Sequence, residues 1–128
     1  MLEFRLLELN EVIDYFILVE SNLTFNQNSK PYYYELNKEK YKKFKHKIIH
    51  IKVDTIPYLI NNKNQLFYQS FLYNSIDRGL KQIVDWRCDD IILFSYIDEI
   101  PYSNILVDLK NTNIFANSNN NYNCTNWN

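Results

Sequence analysis

The chain has 128 residues, 46% of them apolar and 16% aromatic, with 14 basic against 15 acidic side chains and a net charge of −1. That is one domain with enough apolar surface for one modest core, and the near-neutral charge argues against both a disordered chain and a strong nonspecific binder of nucleic acid. The single glycine, Gly79, excludes a glycine-rich phosphate loop, no apolar run reaches the roughly 20 residues that span a bilayer, and Cys88 and Cys124 stand far apart and read as free thiols.

The N-terminal "MLEFRLLELNE" carries acids where a signal peptide needs a basic start, so the expected location is the cytoplasm. Leu2, Leu6, Leu9 and Ile13 recur at helical spacing and predict a helix over residues 2–12. "DYFILVES", residues 14–21, is aromatic, branched and nearly unbroken in apolarity, as a strand buried on both faces is. "NLTFNQNSKP" has turn composition and reads as a loop. The aromatic, basic stretch that comes next predicts a short helix near residues 38–44, and "KIIHIKV" a second strand over residues 47–53. After the connection "TIPYLINNKNQ", Tyr68, Leu72, Ile76, Leu80 and Ile83 line one face of a long helix over residues 65–85. "DIILFS", residues 90–95, reads as a third strand, and Pro101 and Ser103 open a last helix through "NILVDLK".

Helices alternating with strands buried on both faces predict an α/β fold, Rossmann-like, with a mostly parallel sheet. Residues 1–110 form that domain. In residues 111–128, nine of 18 are asparagine without apolar period, and this tail reads as disordered low-complexity sequence.

In such sheets ligands bind beyond the carboxyl ends of the strands. Asp98 and Glu99 lie just past the third predicted strand, and Glu20 ends the first at the same edge. Carboxylates converging there point to a divalent cation with a phosphorylated ligand, because hard cations favour oxygen donors and bridge to phosphates. Each residue also has a plainer reading. Asp98 and Glu99 can be a solvated pair opening the helix at Pro101, where acids favour the positive N-terminal end. Glu20 can be a hydrogen-bonded carboxylate tying the strand end to the next loop, and Arg78 can be a surface ion pair with Asp77. Residues 30–52 hold eight of the 14 Lys and Arg residues, interleaved with Tyr and Phe. That is a candidate surface for nucleic acid, but a solvated face is favoured. His46 and His50 share a strand face by even spacing. With no third ligand near, they read as ordinary strand histidines rather than a zinc site.

The segment order "LEFRLLELNEVIDYFILVESNLTFNQNSKPYYY", then "NSIDRGL", then "DDIILFSYIDEIP" resembles glycosyltransferase family 17, colinearly over residues 2–105. Glu20, Ser21, Thr24, Phe25, Lys30 and Pro31 match the family's first block, and Asp98 and Glu99 its D-x-D-E-I-P signature. The resemblance implies a truncated GT-A-type nucleotide-sugar fold. It also implies transfer of N-acetylglucosamine from UDP-N-acetylglucosamine to a mannosyl acceptor of a glycan. Glu20, Thr24 and Lys30 are then the donor-binding candidates, and Asp98 and Glu99 the candidates for Mn²⁺ or Mg²⁺. Such an ion neutralises charge on the leaving UDP, while a carboxylate base assists the acceptor hydroxyl. Tyr96 stands where the family has the first Asp of D-x-D, and a phenol does not replace a carboxylate on a hard cation. Leu72 and Tyr73 stand where the family has a glutamine-arginine pair. The family's opening strand and its acceptor half are outside this sequence. The alternative is a non-catalytic nucleotide-sugar- or partner-binding remnant, and after it a nucleic-acid binder.

Overall fold

A computed structural model describes residues 1–26, 28–54, 65–87 and 89–112. They fall into two units: residues Tyr15–Ile83, and residues Met1–Asp14 with those from 84 onward.

The first unit is built on a parallel strand pair, β1 (Phe16–Ser21) and β2 (Ile48–Val53), in a register that sets Phe16 opposite Ile48, Glu20 opposite Lys52 and Ser21 opposite Val53. "FILVES" and "IIHIKV" are rich in branched and aromatic side chains that suit a pleated surface. A short helix, α2 (Tyr33–Leu36), and a 3-10 helix, Lys38–Phe44, lie between the strands in sequence, and α3 (Gln65–Asn74) and α4 (Asp77–Leu80) come after β2. Side chains alternate across a strand, so one face carries Leu18, Glu20, His50 and Lys52, and the other Ile17, Val19, Ile51 and Val53. On the second face Val53 and Tyr68 form a buried pair with Val19, Leu23, Phe71 and Leu72 around it. There Gly79 lies so close to β1 that a Cβ would stand 2.4 Å from Ile17 Cγ2. On the first face the His50 ring meets the edge of Tyr34 at 4.8 Å, and Tyr34 stacks on Tyr41 at 5.8 Å. Cover on both faces is why both strands read as nearly continuous apolar runs.

The helices of this unit differ from those expected. The short helix α2 precedes the expected one, which is the 3-10 helix. The single helix expected over residues 65–85 breaks at Ser75 and Ile76. Ser75 is buried, and its Oγ donates to the Phe71 carbonyl at 2.9 Å. Such back-bonding competes with the helix ladder. Tyr68, Leu72, Ile76 and Leu80 nevertheless all stay buried or half-buried, as their spacing requires.

The second unit contains α1 (Leu2–Leu9) and α5 (Ser103–Asn111), with Leu6, Leu9, Val12 and Leu106 buried. Lys110 and Asp14 pair at 3.1 Å. The predicted third strand is not formed: residues 90–95 join no ladder among the described residues. Ile91, Ile92, Leu93 and Phe94 are 38–51% exposed. The end of this run is held instead by Arg5, whose Nη1 donates to the carbonyls of Tyr96 at 2.8 Å and Glu99 at 3.0 Å, and whose Nη2 donates to Ser95 Oγ. A guanidinium is a fork of donors, and it meets these acceptors without a neighbouring strand. The sheet of the described residues is thus two-stranded. Among those residues no helix is long and apolar enough to cross a membrane. The tail beyond Thr112, the connection over residues 55–64, Cys88 and Cys124 lie outside the described residues.

Candidate functional site

Glu20 is the penultimate residue of β1, with its side chain on the face that carries His50 and Lys52. Both of its oxygens are engaged: Oε1 accepts from Tyr33 N at 2.6 Å and Oε2 from Tyr34 N at 3.2 Å. The first N–H groups of a helix have no intrahelical acceptor, and a carboxylate suits the positive end. Tyr32, the residue that opens α2, supplies no side-chain cap. The cap comes from the end of a strand 13 residues earlier in the chain, so Glu20 does tie the strand end to the helix beyond the loop.

The neighbours of Glu20 make an ionisable cluster. His50 Nε2 stands 3.2 Å from Glu20 Oε2, and its Nδ1 stands 3.6 Å from Glu35 Oε2. Glu35 also pairs with Lys38 at 2.6 Å and Lys52 at 3.5 Å. Burial, opposed by the two carboxylates, holds the His50 imidazole below its ordinary value. The hydrogen bond from Lys38 holds Glu35 below the usual carboxylate range. Tyr32 donates to Asp54 Oδ1 at 2.5 Å, and burial together with that bond pushes its phenol up. His46 lies in the exposed turn before β2, so the two histidines do not share a strand face.

The other donor-binding candidates lie in the loop that leads into α2. Thr24 closes it: its Oγ1 accepts from Asn28 N at 3.1 Å, and its N donates to the Asn28 carbonyl at 2.9 Å. Lys30 N donates to the Asn22 carbonyl at 2.8 Å, and its Nζ lies 5.4 Å from the centroid of the Tyr33 ring. Glu20 and Lys30 thus meet at Tyr33, one on its backbone and one on its ring. Arg78 donates to the Lys52 carbonyl at 3.3 Å, at the carboxyl end of β2, while Asp77 pairs with Lys81 at 2.8 Å. Of the aromatic side chains of the basic stretch, Tyr34 and Phe44 are buried and Tyr41 stacks on Tyr34, while Tyr33 is exposed. Most of these rings are thus engaged within the unit rather than open to stack on nucleic-acid bases.

Asp98 and Glu99 belong to the other unit. The turn closes on itself, with Glu99 N donating to the Tyr96 carbonyl at 3.2 Å and Glu99 Oε2 accepting from Tyr96 N at 2.8 Å. Asp98 is exposed in this turn. The acid that serves the start of α5 is Glu8, whose Oε1 accepts from Ser103 N at 3.0 Å. That bond holds Glu8 below the usual carboxylate range. Neither Arg5 nor Glu8 stands out in the sequence, because each acts on a segment more than 85 residues away. Among the described residues no three of His, Cys, Asp and Glu group as a metal site. With Glu99 committed to Tyr96 N and a phenol at position 96, the turn does not fit a resident hard cation, which takes an oxygen-rich set.

The family model for glycosyltransferase family 17 matches residues 1–118. No curated protein and no solved structure matches the chain.

Proposed function

The chain belongs to glycosyltransferase family 17, and we propose that it works on that family's substrates, taking UDP-N-acetylglucosamine as donor and a mannosyl residue of a glycan as acceptor on a GT-A-type fold. The observation that carries this reading is the span of the family match, which takes in both the "VES…TF…KP" block and the "DEIP" turn. In this reading Glu20, which orders the start of α2, and Thr24 and Lys30 in the adjoining loop are the donor-binding candidates. Asp98, with Glu99 beside it, is the candidate for a Mn²⁺ or Mg²⁺ ion that is not a resident of the protein. The test is incubation with UDP-N-acetylglucosamine, Mn²⁺ and a mannosyl glycan, with mass spectrometry of the glycan and quantitation of released UDP. Glycan extended by one N-acetylhexosamine supports the reading. UDP released without extension supports the donor and not the acceptor.

A second reading is favoured by Tyr96 and by the commitment of the Glu99 carboxylate: a protein that retains the nucleotide sugar without turning it over. Retention of the donor in equilibrium dialysis with neither product formed selects it. Neither binding nor product removes both readings.

A further inference from the structure

The near-zero charge of this chain hides a division. The first unit holds 11 basic and five acidic side chains, and the second three basic and 10 acidic. In the first unit the positive charge is concentrated in "KEKYKKFK", the 3-10 helix and the residue after it, where Phe44 is buried and every lysine is exposed. Lys38 is paired to Glu35, but Lys42, Lys43 and Lys45 pair with no carboxylate among the described residues. Leu36, 70% exposed, stands at the end of α2 just before them. In the second unit the exposed apolar run from Ile91 to Ile97 has acids at either end, Asp89 and Asp90 before it and Asp98 after it, all exposed. Arg87 pairs with the first two. Asp98 has no partner among the described residues.

We propose that the chain associates with a second copy of itself, the acid-bracketed run 91–97 of one copy docking on the face of the other formed by Leu36 and the unpaired lysines. A contiguous exposed apolar strip marks an interaction surface. The charges around it select the occupant, because complementary potentials favour one partner and like charges reject the rest. A phosphate-rich surface, whether nucleic acid or anionic lipid, is repelled by the acids at both ends of the run. The same run of a second copy would set acid against acid. What fits is an apolar surface among unpaired cations, and the first unit of this chain supplies one. Exposed ion pairs contribute little one by one. Affinity comes from covering the apolar run, and the ring of charge fixes which face covers it. The two faces differ, so the contact is heterologous, and copies add until a ring closes. The association requires neither donor nor acceptor and stands apart from the glycosyltransferase reading.

The experiment is analytical ultracentrifugation of the full chain over a concentration series in metal-free buffer. In about 0.1 M salt the average mass should climb with concentration from the 15.6 kDa of one chain to about twice that value or more. In about 1 M salt, where the screening length falls from about 10 Å to about 3 Å, it should return to one chain. Two charge-reversed chains locate the faces: Lys42→Glu with Lys43→Glu, and Asp89→Lys with Asp98→Lys. Each alone should stay at the mass of one chain, since like charges now meet, and an equal mixture of the two should associate again. A wild-type chain that keeps the mass of one copy at every concentration in low salt overturns the proposal. So does association that survives about 1 M salt, or that neither pair of substitutions weakens. Binding of the wild-type chain to phosphatidylserine vesicles, lost with Lys42→Glu and Lys43→Glu while the mass stays that of one chain, assigns the lysine face to a lipid surface and overturns it as well. The wild-type concentration and salt series decides the matter even if a substituted chain does not fold.

Discussion

Three apolar segments of this chain, alike in their branched and aromatic side chains, end in two opposite states. "FILVES" and "IIHIKV" pair with each other, take cover on both faces, and bury Ile51 to 3% exposure. "IILFSYI", just as branched and aromatic, joins no ladder among the described residues and leaves Ile92 51% exposed. Apolarity alone does not distinguish them. A strand also needs a partner for its backbone groups, since each N–H and C=O must be met by something. β1 finds that partner in β2 across a short crossover. The carboxyl end of the 91–97 run is met by the Arg5 side chain, which satisfies two carbonyls and a hydroxyl and asks for no second strand.

The sharpest way to break this comparison is to shorten one side chain in a segment of each state. Ile51→Ala should cost about 2–5 kcal/mol, the range for large-to-Ala substitutions in a packed core. Ile92→Ala should stay within about 0.5 kcal/mol, as exposed positions do. Denaturant unfolding of the two variants measures both, and equal losses would mean that the 91–97 run is as buried as the sheet.

A smaller effect separates the two carboxylates that cap helices at long range. Glu20→Ala removes the acceptor for two N–H groups at a site 13% exposed, and should cost about 0.5–2 kcal/mol by the usual worth of an N-cap. Glu8→Ala removes one acceptor at a solvated site, and its loss should be the smaller of the two. Thermal unfolding of both variants ranks them.

The third effect is smaller still and depends on pH. His50 is held below 6.5, so the unfolded chain binds its proton first. The stability contributed by the neutral ring is whole above 6.5 and is lost as pH falls through the folded value. Glu8 and Glu35 act in a lower window: held below 4.5, they contribute stability that is present above 4.5 and lost as pH falls through their folded values. Chemical denaturation at stepped pH should show two declines, and His50→Gln should remove the upper one alone.

Much of this architecture is legible in the sequence where a local signal exists. The two strands, the helical turn at residues 38–44 and the start of the last helix each announce themselves through periodicity or composition. The illegible features depend on distant partners. The break at Ser75 comes from a side chain turning back on Phe71, and the fate of "IILFSYI" from Arg5 at the other end of the chain. The site divides in the same way. Strand-end position alone marks Glu20 as a residue to watch, but that its oxygens serve Tyr33 and Tyr34 emerges only from the crossover. The meeting of residues 20, 35 and 50 across three elements leaves no spacing to detect. Glu99 looks like Asp98 on paper, and the two differ because one carboxylate reaches back to Tyr96 N.

The donor-binding reading is tested most directly by calorimetric titration of UDP with and without Mn²⁺ on the wild-type chain, Tyr96→Asp and Asp98→Asn. A turn with a single open carboxylate should bind UDP weakly and only with the metal. Restoring a carboxylate at position 96 should tighten that binding, since hard cations depend on charged oxygen ligands, and removing the one at position 98 should abolish it. If Tyr96→Asp leaves the affinity unchanged and Asp98→Asn does nothing, "SYIDEIP" is only a turn held by Arg5, and the donor site is not in it.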